Sequence, residues 1–400
     1  MSKKIVIVGG GAAGFYAAIQ HKEAFPENEV LILEKSANFL QKVKISGGGR
    51  CNVTHHCFEN KELIKFYPRG GKELQSVFAR YAVREVINWF EKQGVRLKTE
   101  ADNRMFPVTD NSATIVECFL RRAKELNINL YPNTGLKDFE AGEQIKVITE
   151  KDSFFADRLL FAAGSSAKIW HLLSEKGYEI VSPVPSLFTF IVKDEALTDH
   201  EGISVPKVIA KVKGTKLSQE GALLITHRGL SAPAVLKLSA YGARELHDAG
   251  YNFMLSVNFF PAHNPESIKD FLQDFRSENP KKQIGTVALG EIPNRLWRKL
   301  CEKAGLSPEI IWADMGKSKI AQLGETLTNC EFQVSGKNTF KEEFVTAGGV
   351  SLKNVDMRTM RSKLHENIFF AGEVLNIDAV TGGFNFQAAW STAWLAAQSM

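Results

Sequence analysis

An unbroken apolar run, Ile5-Val6-Ile7-Val8, predicts a strand buried on both faces of a parallel sheet. Residues 15–24 have helical character, and a second apolar strand follows at 29–33. Between 73 and 93, Leu74, Val77, Phe78, Tyr81, Val86, Trp89 and Phe90 recur at three- and four-residue steps. That stripe predicts one long helix, ended by Gly94. A short strand at 95–100, a turn at 102–107 and a helix at 112–126 capped by Asp110 or Asn111 come next. Strands are expected around 128–131, 136–140 and 145–150. The apolar run from Arg158 to Phe161 continues into Ala162-Ala163-Gly164, small residues of the kind that line a crevice at the strand ends of open α/β sheets.

At Ser182-Pro183-Val184-Pro185 the pattern changes, and two prolines in four residues read as a linker. Beyond it, alternation at 187–192, 207–213, 222–226 and 253–259 predicts a small antiparallel sheet or barrel, with a helix at 234–247. Short amphipathic segments (265–277, 294–304, 308–314, 318–328) predict a helical body with Trp297 and Trp312 in its core. From 341 the chain returns to α/β character: a strand or turn at 345–350, a strand at 367–373 and a final helix at 381–397. The expected organisation is a first domain at 1–184 completed by 341–400, a barrel-like insertion at 185–262 with 329–340, and a helical insertion at 263–328. A chain of 400 residues accommodates that many bodies.

Composition narrows the class without naming a reaction. An apolar share of 44% and a charged share of 24% describe an ordinary globular chain. Apolar runs are broken by Gly, Pro or Asn before they could span a bilayer, so no membrane partner is expected. The net charge of +5 is mild and its cations are scattered, with Lys42/Lys44 and Lys281-Lys282 the nearest to clusters. Nucleic acid is therefore not an expected partner. Five cysteines without a CxxC or zinc-like grouping suggest a reducing, cytoplasmic setting, no disulfide framework and no metal. Cys51 and Cys57 enclose five residues, His55-His56 among them. Flavin disulfide reductases carry a redox pair in this region with four, so ordinary free thiols are the preferred reading.

The chemistry sits at the two ends of the chain. Gly9-Gly10-Gly11-Ala12-Ala13-Gly14 is a G-x-G-x-x-G between a strand and a helix, and Glu34, followed by Lys35, stands twenty positions after Gly14 (34 − 14). Gly9 permits the turn, Gly11 admits a pyrophosphate, and Gly14 seats the helix on the strand. The helix N-terminus offers N–H groups to phosphates, and Glu34 can accept from ribose hydroxyls, which suits FAD or NAD better than NADP. A signal peptide is the competing reading of Lys3-Lys4 and the apolar run; four glycines and an immediate second strand oppose it. Ser46-Gly47-Gly48-Gly49-Arg50-Cys51-Asn52, preceded by Lys42 and Lys44, offers an anion-binding nest with side-chain donors. At the far end, Ala371-Gly372-Glu373, Asp378 and Thr381-Gly382-Gly383-Phe384-Asn385 open a last strand–helix unit. The first half would grip adenosine and pyrophosphate, and the last segment the isoalloxazine, a division that points to non-covalent FAD. With no second G-x-G-x-x-G, the expected redox partner is oxygen or a transiently bound NAD(P)H electron donor, and the sequence leaves both open.

Taken with Thr226-His227-Arg228-Gly229-Leu230-Ser231-Ala232-Pro233 and Thr346-Ala347-Gly348-Gly349-Val350, these motifs resemble a bacterial family labelled NAD(P)/FAD-dependent oxidoreductase. That family includes an aminoacetone oxidase and a flavoprotein of bile-acid dehydroxylation operons. The resemblance implies an α/β fold, a glutathione-reductase-type FAD-binding Rossmann domain built from both chain ends with inserted β-barrel-like and helical domains. It places Gly11, Glu34, Gly49, Gly164, Glu373 and Gly383 at FAD. The family has Asp where Asn376 stands and Gly where Ala379 stands. The expected reaction moves a hydride between flavin N5 and a small organic substrate, amine-oxidase-like or NAD(P)H-dependent reductase-like. Lys42 or Lys44, Arg50 and the final helix would stabilise reduced flavin, while His227 and Arg228 read equally as contacts to an anionic substrate or the flavin and as a solvent-facing loop. Two other readings are an RNA-binding flavoprotein of the tRNA-modification type, which the scattered charge opposes, and a non-catalytic flavin-binding regulator. Neither substrate nor oligomeric state is written in the sequence.

Overall fold

Seven strands form the main sheet, in the order Val355–Asp356, Arg361–Ser362, Ile368–Phe370, Arg158–Phe161, Lys4–Val8, Glu29–Leu33, Asn129–Tyr131. The last five run parallel, and the two short ones close one edge in antiparallel fashion. This is a computed structural model describing residues 2–194, 201–338 and 345–400. The chain divides into two units, 1–184 with 341–400, and 185–340.

In the first unit, the central strand is apolar at every inner position because it has a neighbour on each side and helices on its faces. Ile5, Val6 and Ile7 are wholly buried. Val8 pairs with Leu33 on one side and Phe161 on the other, and Phe161 pairs in turn with Phe370. The strands therefore finish level, and the loops that follow them emerge along one edge. Strand order reverses at Lys4–Val8, the position where open sheets of this kind receive ligands.

The N-terminal helix, Ala12–Ala24, packs on the C-terminal helix, Phe384–Ser399, and on Ala113–Glu125. Residues 13–21 of the first are buried without a break, and most of the last helix is buried too. Neither therefore shows a clean apolar stripe. Tyr16 lies among Tyr81, Trp89, Phe90, Phe119 and Trp390, its hydroxyl 2.5 Å from that of Tyr81.

Several expected elements are revised. The long helix at 73–93 is two, Gly71–Phe78 and Val83–Lys92. Ala82 is extended at the join and its N–H donates to Glu85 Oε2 (2.9 Å), starting a fresh helix after Tyr81 turns inward. The turn at 102–107 contains a strand, Arg104–Pro107, held between Thr54–His55 and Leu97–Thr99. The presumed linker lies within a strand, Ile180–Ser186, paired with Val345–Val350; a two-stranded ribbon is all edge, so the prolines cost no ladder bond. The helix at 234–247 is divided at Gly242 into Pro233–Tyr241 and Ala243–Asp248. Of 308–314, only Trp312–Asp314 is helical, a 3-10 turn.

The second unit contains a closed barrel of six antiparallel strands: Thr189–Val192, Gly229–Ser231, Ser218–Thr226, Ser204–Val212, Phe253–Asn258 and Cys330–Asn338. Val205, Val208, Ala210 and Val212 turn inward. Pro233–Tyr241 adds Ala234, Val235 and Leu238 to that core. Helices Ser267–Glu278, Asn294–Lys303 and Lys317–Thr328 share the same apolar cluster, with Trp297 and Trp312 fully buried in it. The expected boundary at 340/341 falls among 339–344, outside the described residues.

Candidate active site

The first loop at the sheet's carboxyl edge is tightly specified. Gly9 N–H donates to Leu33 O (2.8 Å), and a methyl group added at Gly14 would lie 1.9 Å from Gly9 O. At Gly11, by contrast, a methyl group would meet nothing within 4 Å, so the backbone there faces open space. Ala12 is half-buried and Ala13 buried; a methyl group on Gly372, from the far end of the chain, would come 2.9 Å from Ala13 Cβ. Glu34 accepts from Gly10 N–H (2.8 Å), Ser36 N–H (2.9 Å) and Ser36 Oγ (2.7 Å), which fixes its carboxylate beside the loop. Lys35 is exposed.

The second loop leaves helix Gln41–Gly49 at Ser46. Gly47, Gly48 and Gly49 all have left-handed φ (58°, 67° and 81°), where side chains are strained, and space stands open at Gly48 and Gly49. Ser112 anchors the loop, its N–H donating to Gly49 O (2.8 Å) and its Oγ to Lys44 O (2.7 Å). Lys42 Nζ lies 2.7 Å from Glu373 Oε2 and 3.1 Å from Ser165 Oγ, beside Gly164. That ion pair joins the loop after the second strand to the loop after the last strand. Ala163, like Gly164, is half-buried at the end of the intervening strand. Lys44 is exposed and pairs with no carboxylate among the described residues.

Arg50 is already engaged: its guanidinium lies 2.6 Å from Glu100, 3.5 Å from Asp110 and 3.9 Å over the Phe106 ring. The Glu100 hydrogen bond raises its pKa further. The Asn52 carboxamide, with its oxygen towards Gly383, accepts from Gly383 N–H (2.9 Å) and donates to Thr54 O and Met105 O. Three more bonds lay 52–67 along the last helix: Thr54 Oγ1 donates to Gln387 Oε1 (2.6 Å), Tyr67 OH to Phe384 O (2.6 Å) and Trp390 Nε1 to Val53 O (2.9 Å). Gly382 and Gly383 have φ of 132° and 89° and open the helix Phe384–Ser399, whose first-turn N–H groups lack intrahelical acceptors.

Other expected residues prove to hold protein. Phe384 is buried against Phe66 and His55; the Asn385 carboxamide clasps Ala379 N–H (2.9 Å) and Ala379 O (3.2 Å). Asp378 is fully buried and forks onto the Arg69 guanidinium. Asn376 Oδ1 is buried without a hydrogen-bond partner. His227 and Arg228 belong to the second unit, exposed at the turn between two barrel strands, with His227 Nδ1 3.6 Å from Glu201. Cys51 and Cys57 are unbridged, and burial pushes the Cys51 thiol up to about 12, which leaves no reactive thiolate there. Among the described residues no cluster of His, Cys, Asp or Glu is placed to hold a metal. No described helix is long and apolar enough to cross a membrane.

The model of the HI0933-like protein Rossmann domain matches residues 3–399. The chain belongs to that family. This HI0933-like flavoprotein is 26% identical to a ribosomal RNA dihydrouridine synthase of Haemophilus influenzae (strain ATCC 51907 / DSM 11121 / KW20 / Rd), over 99% of this chain and 98% of that one. It is 24% identical to a 3-dehydro-bile acid delta(4,6)-reductase of Clostridium scindens (strain ATCC 35704 / DSM 5676 / VPI 13733 / 19), over 99% and 98%. In fold it is similar to the 3-ketosteroid-delta4-(5alpha)-dehydrogenase of Rhodococcus jostii RHA1, with a TM-score of 0.52, 13% identity, and coverage of 99% of this chain and 97% of that one. The fold is thus a Rossmann-type FAD-binding domain with a six-stranded barrel, and the protein is an FAD-dependent oxidoreductase.

Sequence patterns did not single out His55, the Arg69–Asp378 pair or the Thr54–Gln387 bond. Each joins segments distant in the chain, and none follows a local period. The only local hint was the density of polar residues between Asn52 and His56.

Proposed function

We propose that this flavoprotein moves a hydride between flavin N5 and a small organic substrate with a carbon–carbon double bond conjugated to a carbonyl. One observation carries the reading: the Lys42–Glu373 pair draws the loops from both chain ends together beside Gly164. The residues present fit FAD. Gly11, Gly48 and Gly49 leave bare backbone facing open space, and a non-covalent dinucleotide needs such an approach. Gly9, Gly11, Ala12, Ala13 and Gly14 would receive the pyrophosphate, Glu34 and Lys35 the adenosine, and Gly164 and Glu373 the ribityl chain. Ser46, Gly47, Gly48, Gly49, Gly382 and Gly383 would face the ring. When bound, the flavin supplies hydride chemistry; the chain orients it and steadies its negative charge.

For that charge, Lys44 and the Glu373-paired Lys42 are cations near the second loop, and the first turn of Phe384–Ser399 adds N–H groups. Asn52, Phe384, Asn385, Asp378 and Arg50 serve as positioning residues, since their side chains hold Gly383, the His55 and Phe66 rings, Ala379, Arg69 and the loop at 97–110, respectively. The names of the two relatives both denote saturation of a double bond, which favours the reductase over the amine oxidase. NAD(P)H would then act as a transient donor from solution.

The test begins with absorption and mass analysis of the small molecule released from purified protein. Next, the flavin is titrated anaerobically with NADPH, and the reduced protein is mixed with 2-cyclohexen-1-one. Bleaching by NADPH and recovery of the yellow colour with the enone are expected. Bleaching by an amine that becomes an imine or carbonyl, with recovery in oxygen, would move the assignment to an oxidase. Recovery only with uracil-containing RNA would favour the RNA reading, for which one relative's name speaks.

A further inference from the structure

Beside the glycine pair that opens the C-terminal helix stands a half-buried histidine. His55 ends the short strand Thr54–His55, paired with Arg104–Pro107. Its ring lies 4.5 Å from Phe384 at an interplanar angle of 26°, and Phe66 stacks on the same phenylalanine at 4.2 Å and 11°. This contact fixes the plane of the imidazole. A methyl group added at Gly382 would come 3.4 Å from His55 Cδ2. Cδ2 is therefore the atom of this ring nearest that position, and Nε2 is bonded to it. Nδ1, across the ring, is enclosed, and the Asp102 main chain is the ring's hydrogen-bond acceptor.

We propose that His55 is a further catalytic residue, the proton donor for the substrate carbon next to the one that receives the hydride. The inference rests on the hydride-transfer reading above. Saturating a conjugated double bond requires two electrons and two hydrogens. The hydride that bound, reduced FAD would supply forms one C–H bond; the neighbouring carbon takes a proton from imidazolium Nε2, where N–H breaks as C–H forms. Water then returns a proton to the ring. In the oxidative direction, neutral His55 receives the proton as the hydride leaves.

The surroundings set the pH range. Burial is the main influence and lowers the pKa of His55 from 6.5; the neighbouring cations His56 and Arg104 act the same way, while the Asp102 main chain and carboxylate oppose them. Phe66, Phe384 and Gly382 bring no charge from the other side. The acid form is therefore lost as pH rises through a value below 6.5, and the reductive step slows with it.

The experiment uses the holoenzyme reduced anaerobically with dithionite and mixed with 2-cyclohexen-1-one across pH 5–8, wild type against His55→Gln. The variant is expected to keep its flavin spectrum, to reoxidise about 10²- to 10⁴-fold more slowly, and to lose the pH dependence. Imidazole NMR signals of the wild-type holoenzyme, assigned by their loss in the variant, are expected to shift for His55 when the flavin is reduced. A variant that reoxidises at the wild-type rate, or a His55 signal unmoved by flavin reduction, would overturn the proposal. If wild-type protein ignores the enone, the substrate reading fails on its own, and the NMR response alone decides the place of His55.

Discussion

Two glycines three residues apart make opposite demands. Gly11→Val should give protein with an unchanged melting temperature and no yellow colour, because the added side chain enters open space meant for a ligand. Gly14→Val should instead lose about 1–3 kcal/mol or more of stability in urea, because its Cβ would overlap the Gly9 carbonyl. Glu373→Ala separates binding from folding in another way. The Lys42–Glu373 pair is partly exposed, so its loss should shift the urea midpoint by under about 1 kcal/mol. FAD affinity, measured by fluorescence on release, should fall roughly tenfold, the equivalent of about one lost polar contact. At this scale the glycines were readable because backbone geometry admits few alternatives at their spacing. Arg50 and Asn52 were read only by type, as donors; which partner each would find depended on Glu100, an acceptor, and on Gly383, whose N–H donates to Asn52, residues brought close by folding.

The first and last helices are joined by His21. Its Nδ1–H donates to Ala397 O (2.8 Å), and its Nε2 accepts from Asn28 Nδ2 (2.9 Å), an arrangement that only the neutral ring can make. Burial lowers its pKa below the ordinary 6.5. Below pH 6.5 the unfolded chain binds a proton that the folded chain refuses, so stability falls as pH drops towards the folded-state value and is fully present above about pH 7. His21→Gln should flatten that decline, by at most about 1.4 kcal/mol per pH unit, in urea titrations between pH 5 and 7. Element type was largely legible wherever a strand was buried on both faces or an apolar period ran unbroken. The break between Gly71–Phe78 and Val83–Lys92 escaped because Leu74, Val77, Val86 and Phe90 keep a common core face across it. The prolines of Ile180–Ser186 misled because an edge ribbon needs no amide from them.

Across the whole molecule, the first unit carries its own sheet and the second its own barrel and apolar cluster. Joining residue 186 to residue 345 through about twelve Gly/Ser residues, a span of roughly 20 Å, should therefore leave a protein that still binds FAD. Visible absorbance should persist while turnover disappears, since the barrel unit would be missing. The substrate itself was beyond sequence reading: specificity belongs to surfaces assembled from many segments, and His227 and Arg228 were drawn from a single turn.

The strand Arg158–Phe161 keeps one side bare until Ile368–Phe370 is laid beside it. A ribosome building this chain has thus released its first glycine loop long before the neighbour arrives, and the whole barrel unit emerges in the interval. Colour is gained only when synthesis is all but finished, so a product stopped short by a few dozen residues would be pale however much of its nucleotide motif it carries.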